Sequence, residues 1–401
     1  MSANIKIVLI ILSIALITLS GGGPARAEVG VTDKSILTGC SNSFSGPLAF
    51  TGMELVKYGI EIYFNEINER GGVNGRKLIH KSYDDGYDPT KAVANTKRLV
   101  EEDKVFSILS PQGTSPIFAT VDYLEQQKVP LIFPFQGSPL SGKLIFTTFT
   151  TYPRETEIVV HWFVKTKGWK KIGMIYQDDK YGLTYRETAV ETLKGMGMEL
   201  AAQESVKRGA IDMSAQMAKL GQADLDVLMV ILVPGPGAMA IKESKKLGWT
   251  KTKLVSAGPL TDEKFIILSG GEGEGVWGFS LWPDPVHSKK PAMVEYRKNL
   301  EKYAPGHVPN RYSLFGYFYG RLFAEGVKRA GKDLTRDQLI KALEGIKNWE
   351  NGIISPVTFS PTDHEAQKDG FMVEVRENVF KPISGWISLE GGKLAERPLG
   401  E

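Results

Sequence analysis

From Lys34 onward the chain alternates short, almost uninterrupted apolar runs with longer stretches whose apolar residues recur at helical spacing. SILTGC, KLIHKSY, VFSILS and PLIFP are the first four runs, and a helical segment separates each from the next. Such near-continuous apolar strands are the mark of a parallel sheet, whose crossover helices cover both faces. The rhythm restarts after about residue 150, where KKIGMIYQ, MELAAQESV, DVLMVILV and KLVSA again alternate with helical segments. Two successive runs of βα units predict an α/β protein with two doubly wound parallel-sheet lobes. Such sheets bind ligands beyond the carboxyl ends of their strands, so a cleft between the lobes is the expected site.

The connections fit this reading. NERGGVNGRKL ends a helix expected over 52–70, with Gly71 and Gly72 where a left-handed cap favours residues lacking Cβ. Asn74-Gly75 then turns the chain into the second strand. DPTKAVANTKRLVEED opens on Asp88 with Pro89 at the first helical position. After Trp282 come two long helical segments, KPAMVEYRKNLEKY and RYSLFGYFYGRLFAEGVKRAG, and then a strand-rich tail, MVEVRENVFKPISGWISL.

At the N-terminus, Lys6 precedes an apolar run from Ile7 to Ser20, and Ala25-Arg26-Ala27 closes the segment. This layout predicts a cleaved secretory signal over 1–27 and a mature chain beginning near Glu28. The run is short for a membrane span. ILTGC has the form of a lipid-attachment box, but AEVGVTDKS, with its three charges, separates it from the apolar run. Cys40 is therefore read as a buried thiol of the first core strand rather than a lipid anchor. It is the only cysteine, so no internal disulfide supports the fold and the core must do so. Lys and Arg number 49 against 46 Asp and Glu, a balance that speaks against nucleic acid or an anionic membrane as partner.

Motifs that would carry catalysis do not fit their surroundings. Gly273, Gly275 and Gly278 match the spacing of a dinucleotide fingerprint, yet they follow a helical segment and lead into a strand. GSPLSGKL lacks the hydroxyl of a phosphate loop, and its Pro139 removes an amide from the cradle. The five histidines, at 80, 161, 287, 307 and 364, are scattered, with no paired spacing and no cysteine partner in sequence. No catalytic residue, cofactor or metal is expected, and the chain is not read as an enzyme.

Three loops at strand ends remain. SPQGTSP contains Gln112, Gly113, Thr114 and Ser115, with both hydroxyls at a helix start, where N–H groups could hold a carboxylate. PFQGSPL offers Phe135 as a wall, Gln136 as an amide and Gly137 for close backbone approach. QDDKYGLTY places Tyr181 at the start of a second-lobe helix.

SFSGPLAFTG, NEINERGGVNGRKL, YDDGYDPTKAVANTKRLVEEDKV and QDDKYG, in this order, resemble the periplasmic substrate-binding proteins of branched-chain amino acid ABC importers. The likeness runs from about Lys34 to Val255 and continues more weakly to the end. It implies a type I periplasmic binding fold whose lobes are joined by three crossings and close over a small ligand. The first lobe would be 28–151 with 283–356, and the second 152–282 with 357–401. It also implies a periplasmic, monomeric protein that delivers its ligand to a membrane permease; a sensor of the same fold is the alternative. The carboxylate-holding hydroxyl would fall on Thr114, the second anchoring loop on Phe135, Gln136 and Gly137, and the second-lobe tyrosine on Tyr181.

The departures concern the ligand. Amino-acid binders of the family hold the ligand ammonium with an acid in a Gly-Pro-Glu stretch, whereas this chain has Gly258-Pro259-Leu260. Gly137 also stands where the family has a hydroxyl-bearing residue, and Pro234 where it has an aromatic one. Either Asp178, Asp179 or Asp262 supplies the missing charge, or the ligand has no ammonium and lies against Phe50 and Phe135.

Overall fold

The computed structural model describes residues 28–399, so the expected signal segment at 1–27 lies outside the described residues. β1 (Ser35–Asn42), β2 (Lys77–Asp84), β3 (Ser107–Leu109), β4 (Leu131–Ile132) and β5 (Ile145–Phe146) form one sheet in the order β2-β1-β3-β4-β5. Every pairing in it is parallel. The second sheet contains β6 (Ile172–Gln177), β7 (Ala202–Val206), β8 (Val227–Ile231), β9 (Lys253–Ser256), β10 (Trp277–Ser280), β11 (Phe371–Arg376) and β12 (Val379–Pro382). Its order is β12-β11-β10-β9-β8-β6-β7. β6 to β10 pair in parallel, while β11 and β12 add antiparallel edges made by the returning chain. A terminal hairpin of β13 (Trp386–Glu390) and β14 (Lys393–Arg397) is bridged to the body through Gly370 and Ile387.

The expected architecture is thus present, two parallel-sheet lobes with three chain crossings between them. The crossings follow β5, follow β10 and precede β11. Between the last two, the helices Pro291–Tyr303, Arg311–Ala330 and Arg336–Glu344 return to the first lobe. The chain still touches the first sheet beyond residue 356: Thr147 pairs with Glu365, and the His364 ring stacks on Phe146 at 3.9 Å.

The turn at 71–75 forms as its residues predict, with φ of 99° at Gly71, 76° at Gly72, 51° at Asn74 and 83° at Gly75. The preceding helix differs from the single segment expected. It runs as Ala49–Leu55, then a wider π turn over Val56–Ile60, then Glu61–Glu69. The wide turn falls where Gly59 meets Gly316 of the long helix, close enough that a Cβ on Gly59 would lie 2.5 Å from the Gly316 Cα. The two backbones are in contact there, so neither position has room for a side chain.

His80 is a packing histidine, and the fold gives it the cysteine neighbour that sequence spacing did not show. Parallel pairing sets Thr38 opposite His80, and the ring lies 2.9 Å from Thr38 Oγ1 through Nδ1 and 3.2 Å from Cys40 Sγ through Nε2. The thiol is fully buried, as expected of a core strand. Burial pushes His80 down to about 3 and the Cys40 thiol far up, so both stay neutral and the pair acts as packing.

The helix contact makes a sharp prediction. A Cβ on Gly316 would lie 1.8 Å from the Leu55 carbonyl oxygen, so Gly316→Ala should destabilise the fold by about 3 kcal/mol. Gly195→Ala, at an exposed helix position with open space around it, should stabilise by about 0.5 kcal/mol. Urea unfolding of both variants checks the pair.

Candidate functional site

The loops after β3 and β4 are tied at the carboxyl edge of the first sheet. Gly113 N–H donates to Phe135 O at 3.2 Å, and Phe135 N–H donates to Pro111 O at 2.8 Å. Gly113, with φ of 95°, caps the helix Thr114–Gln126 without a side chain, and a Cβ there would strike the Tyr87 ring at 2.7 Å. Pro116 brings no N–H to the first turn. Among the described residues, the amides of Thr114 and Ser115 have no acceptor. Their helix therefore presents two unpaired donors and the positive end of its dipole toward the second lobe.

A small cavity of about 40 Å³, well below the usual range for ligand pockets, lies at this helix end. The first-lobe loops and helix starts contribute Leu48, Thr51, Tyr87, Gln112, Gly113, Thr114, Phe135 and Tyr312. Tyr181, Val233, Pro234 and Pro259 face them from the second lobe, and Tyr152 comes from the first crossing. The wall is mostly rings and aliphatic groups. Its polar side chains are neutral, and no Asp, Glu, Lys or Arg lines it among the described residues.

Of the residues expected from sequence, Gln112, Gly113, Thr114, Phe135 and Tyr181 stand in this wall, and five others do not. Ser115 instead reaches across the cleft, with Oγ 3.3 Å from Asp179 Oδ2. The Gln136 amide folds back on its own loop, accepting from Ser138 N at 2.6 Å and donating to Ser138 O at 2.8 Å. Gly137 is covered by Tyr152, whose ring would lie 2.4 Å from a Cβ, which explains why no hydroxyl-bearing residue stands there. Phe50 packs edge-on against Tyr312 at 6.2 Å, outside the cavity, with the Lys264 ammonium 4.9 Å from its ring. Leu260 belongs to the second-lobe core. The 3₁₀ turn Gly258–Leu260 turns Pro259 to the cavity and packs Leu260 against Gly237.

The three aspartates considered as replacement acids are also placed elsewhere. Asp178 is exposed. Asp262 is buried and accepts from the amides of Arg311 at 3.0 Å and Lys264 at 2.8 Å. Asp179 caps the helix Lys180–Gly195 and accepts from Gln177 Nε2 at 2.7 Å and Tyr87 Oη at 3.3 Å. The acid nearest Gly258 is one that sequence reasoning missed, Glu155. It accepts from Gly258 N at 2.8 Å and from Tyr185 Oη at 2.9 Å. Burial raises Glu155 to about 8, with Gly258 and Tyr185 opposing only in part, so the carboxyl is largely protonated at pH 7.

Sequence reasoning also missed Leu48, Thr51, Tyr87, Tyr152, Val233, Pro259 and Tyr312, and met Pro234 only as a departure from the family pattern. Tyr87 and Pro234 were within reach, because they follow β2 and β8 at their carboxyl ends, where the same rule applies. Tyr152 and Tyr312 open helices next to chain crossings and carry no local signal. Most phenol protons are already engaged: Tyr181 donates to Leu232 O at 3.4 Å, Tyr87 to Asp179, and Tyr312 to Pro259 O. Burial holds Tyr87, Tyr152, Tyr181 and Tyr312 above the ordinary phenol range, so all four are neutral.

A two-lobed α/β body with a cavity shared by both lobes is the architecture of a type I periplasmic binding protein. The chain belongs to the periplasmic binding protein family, whose pattern it matches over residues 36–379, and that family consists of substrate-binding proteins rather than enzymes. It is 26% identical over 262 residues to the Leu/Ile/Val-binding protein homolog 7 of Brucella suis biovar 1. That match covers 62% of this chain and spans about 63% of the relative's length. Two solved structures share the fold. A branched-chain amino acid ABC transporter protein of Thermus thermophilus with bound valine gives a TM-score of 0.83 at 19% identity, over 90% of this chain and 98% of that one. A fatty acid ABC transporter substrate-binding protein of Thermomonospora curvata gives 0.82 at 23%, over 92% and 96%. No helix among the described residues is long and apolar enough to cross a membrane.

Glu155 yields a pH prediction. Its folded value, about 8, lies above the ordinary 4.5, so the native state holds a proton that the unfolded chain releases. Its contribution to stability is complete below pH 4.5 and is lost as pH rises to about 8. Glu155→Gln should therefore gain on the wild type with rising pH, by on the order of 5 kcal/mol at the upper end. Denaturant unfolding at pH 5, 6, 7 and 8 measures the divergence; parallel curves would mean that Glu155 is already ionised in the fold.

Proposed function

We propose that this chain is a periplasmic capture protein that closes its lobes over a small carboxylate-bearing ligand and delivers it to the permease of an ABC importer. One observation carries the reading: Thr114, with an unpaired amide at a helix start, lines a cavity to which both lobes contribute. Backbone donors at a helix N-terminus suit a carboxylate without requiring a cation. The ligand of the Thermus thermophilus structure, valine, is a carboxylate, as are the fatty acids for which the Thermomonospora curvata protein is named.

In this reading residues 1–27 direct export, and the mature chain works as a monomer in the periplasm. The first lobe is 28–151 with 283–356 and the second 152–282 with 357–401, the contact of Thr147 with Glu365 lying at the third crossing. Closure brings Tyr181, Val233, Pro234 and Pro259 onto a ligand held at Thr114, which makes occupancy a two-state signal for the permease.

A thermal-shift panel of amino acids, their deaminated acids and aromatic acids identifies a ligand through its stabilisation of the fold. For that ligand, Thr114→Val should weaken binding by about 1–3 kcal/mol in calorimetry. Recovered ligand should be chemically unchanged. An unaltered Kd in the variant would remove Thr114 from the site.

A further inference from the structure

We propose that the cleft selects an aromatic carboxylate that carries no amine, an inference that rests on the capture reading above and narrows it. Each carboxyl group near the cavity is committed elsewhere. Asp179 is surrounded by donors: the amides of Tyr181 and Gly182 reach Oδ1 at 3.1 and 3.4 Å, and Gln177, Ser115 and Tyr87 reach Oδ2. Asp85 accepts from Ser41 Oγ, Ser43 Oγ and Tyr87 N at 2.7 to 2.9 Å. Glu54 is held by His307 Nε2 at 2.9 Å and Asn310 Nδ2 at 2.7 Å. Glu155 is held by Gly258 and Tyr185, outside the cavity wall. An ammonium placed at Thr114 would thus lose its water and find no carboxylate in the wall, Asp179 being already bonded by Ser115 and Tyr87.

The wall does offer an acceptor, and it is neutral. Gln112 Oε1 is buried without a hydrogen-bond donor, while the amide nitrogen of the same side chain bonds Thr51. In the same wall the rings meet edge to face: Phe135 with Tyr312 at 5.9 Å and 69°, and Tyr152 with Tyr181 at 5.3 Å and 78°. A cage of this kind accepts one more flat ring in the same geometry. Its volume of about 40 Å³ leaves no channel for a long acyl chain.

The test is calorimetry on the protein purified from the periplasm, with acids matched to their amino counterparts. 3-Phenylpropanoate is set against L-phenylalanine and 4-methylpentanoate against L-leucine, with benzoate and cinnamate as further aromatic acids. The expected result is that at least one aromatic acid binds tenfold or more tightly than L-phenylalanine, L-leucine and 4-methylpentanoate. Tighter binding by either amino acid than by its deaminated partner overturns the inference and leaves carboxylate capture standing. Tightest binding by 4-methylpentanoate overturns the aromatic preference. If none of the six binds, the aromatic inference falls, and the wider thermal-shift panel decides carboxylate capture separately.

Discussion

Every pairing in the first sheet and every pairing among β6 to β10 is parallel, and the cleft is a consequence of that one constraint. A parallel strand must be followed by a crossover, and each crossover helix begins at the carboxyl edge it has just left. Helix starts from both lobes therefore converge on the space between the sheets. Their chemistry is not equivalent. The helix Lys180–Gly195 is capped by Asp179, and Pro234–Lys246 opens on a proline with a second at Pro236. Thr114–Gln126 alone among these three has a glycine cap and keeps both of its leading amides free of protein acceptors. The site is polarised toward that one end before any side chain is considered.

Neutrality of the remaining wall follows from the same crowding. Tyr152, Tyr181 and Tyr185 pack together, with Tyr152 stacked on Tyr185 at 4.5 Å, and they bury Glu155 against Gly258. A carboxyl so enclosed cannot keep its charge cheaply, and two donors do not offset the lost water. The cleft thus contains an acid that behaves as a hydrogen-bonding group. Replacing a buried ion by its neutral form removes the need for a buried partner, which agrees with a wall free of Lys and Arg as well as of Asp and Glu.

Legibility in the sequence followed the range of the interactions. The sheets, their parallel direction and the turn at Gly71–Gly75 were readable because periodicity, glycine and proline act within a few residues. Thr114, Phe135 and Tyr181 were readable because strand ends can be located. Leu260 was misplaced because position in a motif does not fix the direction of a side chain; the 3₁₀ turn exchanged it with Pro259. Glu155 could not have been found by pattern, since its partners, Tyr185 and Gly258, lie 30 and 103 residues away. The Cys40–His80 pair failed to show for the same reason, being created by the register of β1 on β2 across 40 residues.

Contacts across the cleft explain how such a site can respond to an occupant. Ser115 meets Asp179, Ser138 Oγ lies 2.9 Å from Thr184 Oγ1, and Tyr312 donates to the Pro259 carbonyl. The side chains of Ser115, Ser138 and Thr184 are ones that water could also satisfy, so the closed arrangement gains only modestly from them. The larger gain is available from apolar walls that meet an occupant only when the lobes are together: Phe135 and Tyr312 on one side, Val233, Pro234 and Pro259 on the other. In the capture reading proposed above, a ligand held at Thr114 and enclosed by both walls would favour closure by the difference between its two-walled and one-walled contacts, and by no more than that difference. The small volume and the rings of the wall set its size, so the geometry that decides which molecule fits also decides how strongly its presence is reported.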